Sequence, residues 1–176
     1  MLFRSVLVVA VATTGGVLPD DFRAELADGL RAGINVVYPL HGRLSADPEL
    51  APLVQSGRWI WDIRIEPEGL MPGTGLAAAL ACRRVLTVGT DMAIGKMTAS
   101  LECDLAARSR GLRSRFLASG QIGIALDADG DGVPLDAVRI DFASGSIEQL
   151  VLRHAPDHDV LWIEGQGSLL HPSSTA

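Results

Sequence analysis

The sequence predicts an α/β protein built on parallel sheets. Two observations carry that expectation along the 176 residues. Short β-branched apolar runs alternate with stretches of helical period, and a glycine-rich turn, Gly89 to Gly95, joins one such run directly to a helix. A third observation, the Gly/Pro-rich stretch from Gly69 to Gly75, divides the chain. The expected organisation is a βαβ-based domain over residues 1–70, a linker over 71–81 and a phosphate-loop domain over 82–176.

Val6 to Val11 reads as a buried first strand that ends at Thr13-Thr14-Gly15-Gly16. Arg4 and the apolar run to Ala12 also have the outline of a signal peptide, but the run is short for one, so the protein is expected in the cytoplasm. Pro19-Asp20-Asp21 opens a helix, with proline in the first turn and acids against the positive end of the dipole. Phe22, Leu26 and Leu30 mark its apolar face, and Gly33 stops it. Ile34 to Tyr38 is a second strand closed by Pro39, which completes a βαβ unit and requires a parallel pair. Pro48 to Ser56 is expected as a short helix. Trp59 to Ile65 alternates as a third strand, with Trp59 and Trp61 expected in the core.

In the second half, Leu76 to Cys82 is expected as a short helix, Val85 to Val88 as a strand and Lys96 to Arg108 as a helix stopped by Gly111. Ser114 to Ala118 is a strand, and Val138 to Ile140 a weaker one ending at Asp141. Ile147 to Arg153 is helical, and Val160 to Ile163 is a last strand ending at Glu164.

Composition narrows the function. Lys+Arg 15 against Asp+Glu 21 leaves a net charge of −6, with no basic stripe to neutralise phosphates, so no nucleic-acid partner is expected. No apolar run approaches the ~18–20 residues of a membrane span. An apolar fraction of 48% with 20% charged residues excludes a disordered chain. Cys82 and Cys103 are too few for a disulfide framework and are expected as reduced thiols. The chain holds fourteen arginines and a single lysine, Lys96, which falls at the end of the glycine loop.

That loop, Gly89-Thr90-Asp91-Met92-Ala93-Ile94-Gly95-Lys96-Met97-Thr98, has the context a phosphate site requires: a strand before it and a helix after it. Glycines allow the backbone to close around an anion, the helix N-terminus adds positive potential, and Lys96 adds a full charge. Thr98 offers a hydroxyl for Mg²⁺. The spacing is irregular, since five residues separate the glycines and Met97 stands where a hydroxyl is usual. A glycine-rich turn with an incidental lysine is the plain alternative. Glu164, delivered by an apolar strand and followed by Gly165-Gln166-Gly167-Ser168, is placed to hold Mg²⁺ or to orient a substrate amine. Ser119-Gly120-Gln121 adds a hydroxyl and an amide at a neighbouring strand end. Asp141 adds a carboxylate, and reads equally as a helix cap.

Asp127-Ala128-Asp129-Gly130-Asp131-Gly132 begins like a calcium loop, but its twelfth place is Val138 rather than glutamate, so a solvated turn is expected. His41, His154, His158 and His171 share no metal-ligand spacing. His171, close behind Glu164, is the one histidine considered as an acid or base.

With these residues in view, the chain resembles a family long called a domain of unknown function, whose members include bacterial D-glutamate N-acetyltransferases. The resemblance rests on Arg83 to Asp91, Ile94 to Thr98, Ser119 to Gly123, Gly132 to Val138, Asp141-Phe142 with Ser144-Gly145, and Ile163 to Leu169 with His171-Pro172. Gly16 to Leu44 is similar to that family's Rossmann-like first domain. The family keeps the five intervening residues and the methionine of the loop. It runs to roughly twice this length, so the phosphate-loop domain is expected to be incomplete, of P-loop NTPase type and truncated at its C-terminus.

The loop and the Glu-Gly segment look more distantly like dethiobiotin synthetase. The resemblance implies an N-acetyltransferase that acts on D-glutamate or a similar amino acid with acetyl-CoA. On that reading Gly89, Thr90, Asp91, Ala93, Ile94, Gly95, Lys96, Met97, Thr98 and Gln121 bind the cofactor. Glu164, Asp141 and His171 are alternative bases for the substrate ammonium. The dethiobiotin synthetase likeness implies instead an ATP·Mg²⁺-dependent ligase or kinase, with Thr98 and Glu164 on the metal. A nucleotide-binding fragment without turnover is the third reading. A small-molecule substrate and a homo-oligomer are expected.

Overall fold

The computed structural model describes residues 6–11, 13, 16–127 and 129–170. The chain forms two compact units, Met1–Ile65 and Glu66–Ala176.

The first unit carries β1 (Val6–Val8), α1 (Asp20–Arg31), β2 (Asn35–Tyr38) and β3 (Ile60–Asp62), with the three strands parallel in the order β1-β2-β3. Leu26 and Leu30 of α1 pack with Val9, Val36, Tyr38, Leu40, Leu44 and Leu50 into one apolar core. Phe22, expected on the same stripe, is exposed, because it lies in the first turn before the helix reaches the sheet. The helix ends at Ala32, and Gly33 follows with a φ of +74°, its N–H donating to the Leu30 carbonyl.

Where a helix was expected from Pro48 to Ser56 there is a single 3₁₀ turn, Ala51–Leu53. Asp47 organises this region: its carboxylate accepts the N–H groups of Glu49 and Leu50 and pairs with Arg23 of α1. Arg23 holds the Asp47 carboxyl down at about 2. The third strand is shorter than the alternation implied. Trp59, one residue before it, is exposed, and Trp61 is half-buried.

The second unit carries β4 (Arg83–Leu86), α2 (Lys96–Ser109), β5 (Ser114–Leu117), α3 (Gln121–Leu126), α4 (Ile140–His154) and β6 (Val160–Ile163). Its strands are parallel in the order β4-β6-β5, so the last strand in sequence is the central one. Alternation along β6 sends Leu161 and Ile163 to one face, where they pack with Leu117 and with Leu150 and Val151 of α4. Trp162 points to the other face. Its indole N–H donates to Ser114 Oγ at 3.0 Å, and Ser114 donates to the buried carboxylate of Asp104 on α2 at 2.6 Å. The two long helices therefore lie on opposite faces, giving a three-layer α/β unit.

Four expectations change here. The strand at Val138–Ile140 is absent: Ile140 opens α4 and is 81% exposed, so no sheet neighbour pairs with it. The helix expected from Ile147 starts already at Ile140, and Asp141 sits in its first turn rather than at a strand end. Leu76–Ala79 is a 3₁₀ turn, and the 71–81 stretch read as a linker is packed into the second unit. Glu148 of α4 accepts the N–H groups of Thr74 and Ala77, and a Cβ at Gly145 would overlap the Met71 carbonyl. The acidic turn after α3 is held by side chains of the protein itself: Asp127 faces Arg115, while Asp131 pairs with Arg153 and meets the His154 ring. Among the described residues, no group of three metal-ligating side chains converges.

Candidate functional site: a phosphate loop beside a buried glutamate

With β6 between β4 and β5, three chain segments leave the carboxyl edge of the sheet side by side: the loop after β4, the turn after β5 and the Glu164 segment after β6. Open parallel sheets place ligands at this edge. A cleft of about 530 Å³ lies there, lined by Met92 to Thr98, Gly120 to Ile122 and Glu164 to Gly167.

The loop Gly89–Gly95 wraps tightly. Ala93 has a φ of +54° and Gly95, which caps α2, a φ of +97°, a left-handed geometry that costs glycine nothing. A Cβ at Gly89 would press on the Ile94 side chain, 2.5 Å from its Cδ1. Lys96 is the first residue of α2, and its Nζ donates to the Asp91 carbonyl at 2.9 Å, turned back onto the loop. The Asp91 side chain accepts the Met92 N–H at 2.7 Å. Among the residues lining the cleft, Lys96 carries the positive charge and Glu164 the carboxylate. Met97 and Thr98 follow on α2 and both line the cleft, with Thr98 exposed.

Glu164 is buried, and its position is imposed by backbone. One carboxylate oxygen accepts the N–H groups of Ser119 and Gly120, each at 3.0 Å, and the Ser119 hydroxyl donates to the Glu164 carbonyl at 2.6 Å. Burial pushes the carboxyl pKa up. The two N–H donors, the Gln166 side chain and the charge of Lys96 oppose that shift without cancelling it. Gly120 and Gly123 leave the room the carboxylate occupies: a Cβ at Gly123 would stand 2.5 Å from Oε2.

The Glu164 segment is fastened to the phosphate loop. Ser168 Oγ donates to the Thr90 carbonyl at 2.9 Å, and the Leu169 N–H to the Gly89 carbonyl at 3.0 Å. Gly165 lies so close to β4's exit that a Cβ would overlap the Thr87 carbonyl oxygen, while its N–H donates to Thr87 Oγ1. Thr87 in turn meets the fully buried hydroxyl of Ser100 on α2 at 3.0 Å.

Of the residues singled out from sequence, the structure gathers Ala93, Ile94, Gly95, Lys96, Met97, Thr98, Gln121 and Glu164 in the cleft. Gly89, Thr90 and Asp91 form the loop behind it. Asp141 is exposed at the start of α4 and does not line the cleft, a correction to its expected place at a strand end. His171 lies outside the described residues. Thr87, Ser100, Gln166 and Ser168 were not foreseen in these roles. Only the hydroxyl residues bordering the loop and the Glu-Gly segment hinted at them.

A parallel sheet whose central strand delivers a buried carboxylate beside a glycine loop, with a lysine at the first position of the following helix, defines a P-loop domain. It accompanies a Rossmann-like parallel unit. The chain belongs to the DUF1611 family of domains of unknown function: residues 71–176 match its P-loop domain and residues 4–66 its Rossmann-like domain.

Two curated relatives, both named D-glutamate N-acetyltransferase, are 40% identical over 95% of this chain (Tritonibacter scottomollicae) and 37% identical over 94% (Pseudoalteromonas sp.). The chain spans about half the length of these relatives, 49% of each. A crystal structure of a family protein from Anabaena variabilis is 56% identical, with a TM-score of 0.93 over 98% of this chain and 50% of that one.

Proposed function

We propose that the chain serves the N-acetylation of an amino acid, D-glutamate or a close analogue, from acetyl-CoA. The observation that carries the reading is the cleft itself, which pairs Lys96 at the first position of α2 with a buried glutamate of raised pKa. The names of the relatives support the acceptor and the reaction class. The residues present suit a diphosphate: a left-handed loop, a helix N-terminus and one ammonium group. Met97 takes the place beside the lysine where metal-binding phosphate loops carry a hydroxyl.

On this reading Lys96 swings from the Asp91 carbonyl to the diphosphate, so the loop exchanges an internal hydrogen bond for a ligand contact. Glu164 accepts a proton from the substrate ammonium, because only a neutral amine has the lone pair to attack. The nitrogen then bonds to the thioester carbonyl carbon and gives up its second proton, the carbon–sulfur bond breaks, and the departing thiolate takes that proton. Acetyl-CoA supplies the activated acyl group. Ser119 and Gly120 keep the Glu164 carboxylate fixed during the transfer.

Thr98 and Glu164 line the same cleft, which favours a second reading: Mg²⁺ held by both, with phosphate and water completing its shell, and ATP as ligand. Calorimetric titration separates the two. Acetyl-CoA binding weakened about tenfold or more by Lys96→Ala supports the transferase. Binding of ATP only with Mg²⁺ supports the ligase, and absence of both removes this chain as a binder on its own.

A further inference from the structure

The two oxygens of the Glu164 carboxylate are not equivalent. Both backbone donors, the Ser119 and Gly120 N–H groups, converge on Oε2. Oε1 lies on the side of Gly120, 3.2 Å from where a Cβ on that residue would stand. The Gln166 side chain reaches the same space. Its Nε2 is 2.5 Å and its Cδ 3.3 Å from that point, and it hydrogen-bonds the carboxylate. Gly120 has a φ of −123° and a ψ of 155°, extended backbone open to any residue, so glycine serves here to leave room for the amide.

Gln166 is held from both sides. The Gly165 N–H donates to Thr87 Oγ1 at 3.2 Å, and a Cβ at Gly165 would overlap the Thr87 carbonyl oxygen. Gly167 turns with a φ of +67°, and Ser168 beyond it is tied to the Thr90 carbonyl. Gln166 itself is half-buried and lines the cleft. Lys96 is engaged with the Asp91 carbonyl. An amide therefore stands beside the carboxylate in the cleft.

We infer that Gln166 reads the substrate's ammonium group: its amide donates to Glu164 in the empty cleft and turns over to accept from the ammonium when an amine enters. The inference rests on the reading of the cleft as an amine site. An amide suits both roles, because one side-chain end carries a donor and an acceptor. A primary ammonium brings three N–H donors, enough for Glu164 Oε1 and the Gln166 oxygen together. A hydroxyl brings one donor and leaves an acceptor unmet. The acetylated product is neutral at nitrogen and brings a single N–H, so the pair that holds the substrate lets the product go.

Nitrogen–proton NMR of the full chain tests this, with the Gln166 side-chain amide signals identified by their loss in Gln166→Met. Saturating D-glutamate is expected to shift those signals. D-2-hydroxyglutarate, the same skeleton with a hydroxyl for the ammonium, binds about tenfold or more weakly. Gln166→Met, matched in length but lacking the amide, weakens D-glutamate binding about tenfold or more while the backbone signals of both sheets stay in place. Gln166→Glu keeps an acceptor and restores binding at least in part. The inference is overturned by unmoved Gln166 signals, by absent D-glutamate binding, or by D-2-hydroxyglutarate binding as tightly. Full affinity in Gln166→Met, or a Gln166→Glu variant as weak as Gln166→Met, overturns it as well. Acetyl-CoA titrated separately keeps the two readings apart: D-glutamate binding without acetyl-CoA binding removes the acyl donor and leaves the role of Gln166 standing.

Discussion

Glu164 is subject to two opposed influences, burial that favours its neutral form and backbone N–H groups that favour its charge, and burial prevails. A carboxyl whose pKa is raised by folding lends stability below its unfolded value, near 4.5, and loses it as pH rises through the higher folded value. The buried carboxyl therefore stabilises the fold less at neutral pH than at acid pH. Glu164→Gln keeps an oxygen for Ser119 and Gly120 and removes the buried charge. Thermal melts are expected to show the variant more stable than wild type at pH 7, with the gain vanishing toward pH 4. If the proposed acetyl transfer uses Glu164 as its base, its rate falls as pH drops through the raised value. A variant that retains full activity removes Glu164 from the chemistry.

At the scale of elements, α2 is the member that places Lys96, and its inner face is polar. Ser100, Asp104 and Ala107 are its buried residues, while Leu105 faces out. Asp104 accepts the Ser114 hydroxyl, pairs with Arg108 and, through Ser114, holds Trp162. Asp104→Ala leaves a buried hydroxyl short of a partner and is expected to cost about 2–3 kcal/mol in urea unfolding. Asp104→Asn should recover part of it.

This face also explains what sequence could and could not reveal. The phosphate loop and the Glu164 strand were legible because their signals are local: glycines, a lone lysine and a β-branched run. Both sheets and the α2 span followed from strand–helix alternation. The hydrogen-bonded inner face of α2 was not legible, since hydrophobic periodicity cannot see a helix that docks through serine and aspartate. Ile140-Asp141 failed for a related reason. Two β-branched residues beside an acid suit a strand end or a helix start, and only a neighbouring strand with room to pair decides between them. The clasp from Ser168 to Thr90 joins residues 78 apart, beyond any short-range pattern.

At the scale of the molecule, Glu68 and Gly69 are exposed just past the unit boundary at Ile65, and Gly69 has a φ of +71°. Limited digestion with a glutamate-specific protease is expected to cut at Glu68 before any site within the helices and strands. It should release two fragments that each keep their circular dichroism signal. Early cleavage within α2 or α4 would contradict the division into units.

The hydrogen-bond chain from Trp162 through Ser114 to Asp104 makes the second unit its own optical sensor. The other two tryptophans, Trp59 and Trp61, belong to the first unit. With both replaced by phenylalanine, all indole emission comes from a ring wired to the helix that begins at Lys96. Any ligand that draws Lys96 off the Asp91 carbonyl and shifts α2 alters that ring's polar contact. Titration with a candidate ligand is therefore expected to change this emission without a label.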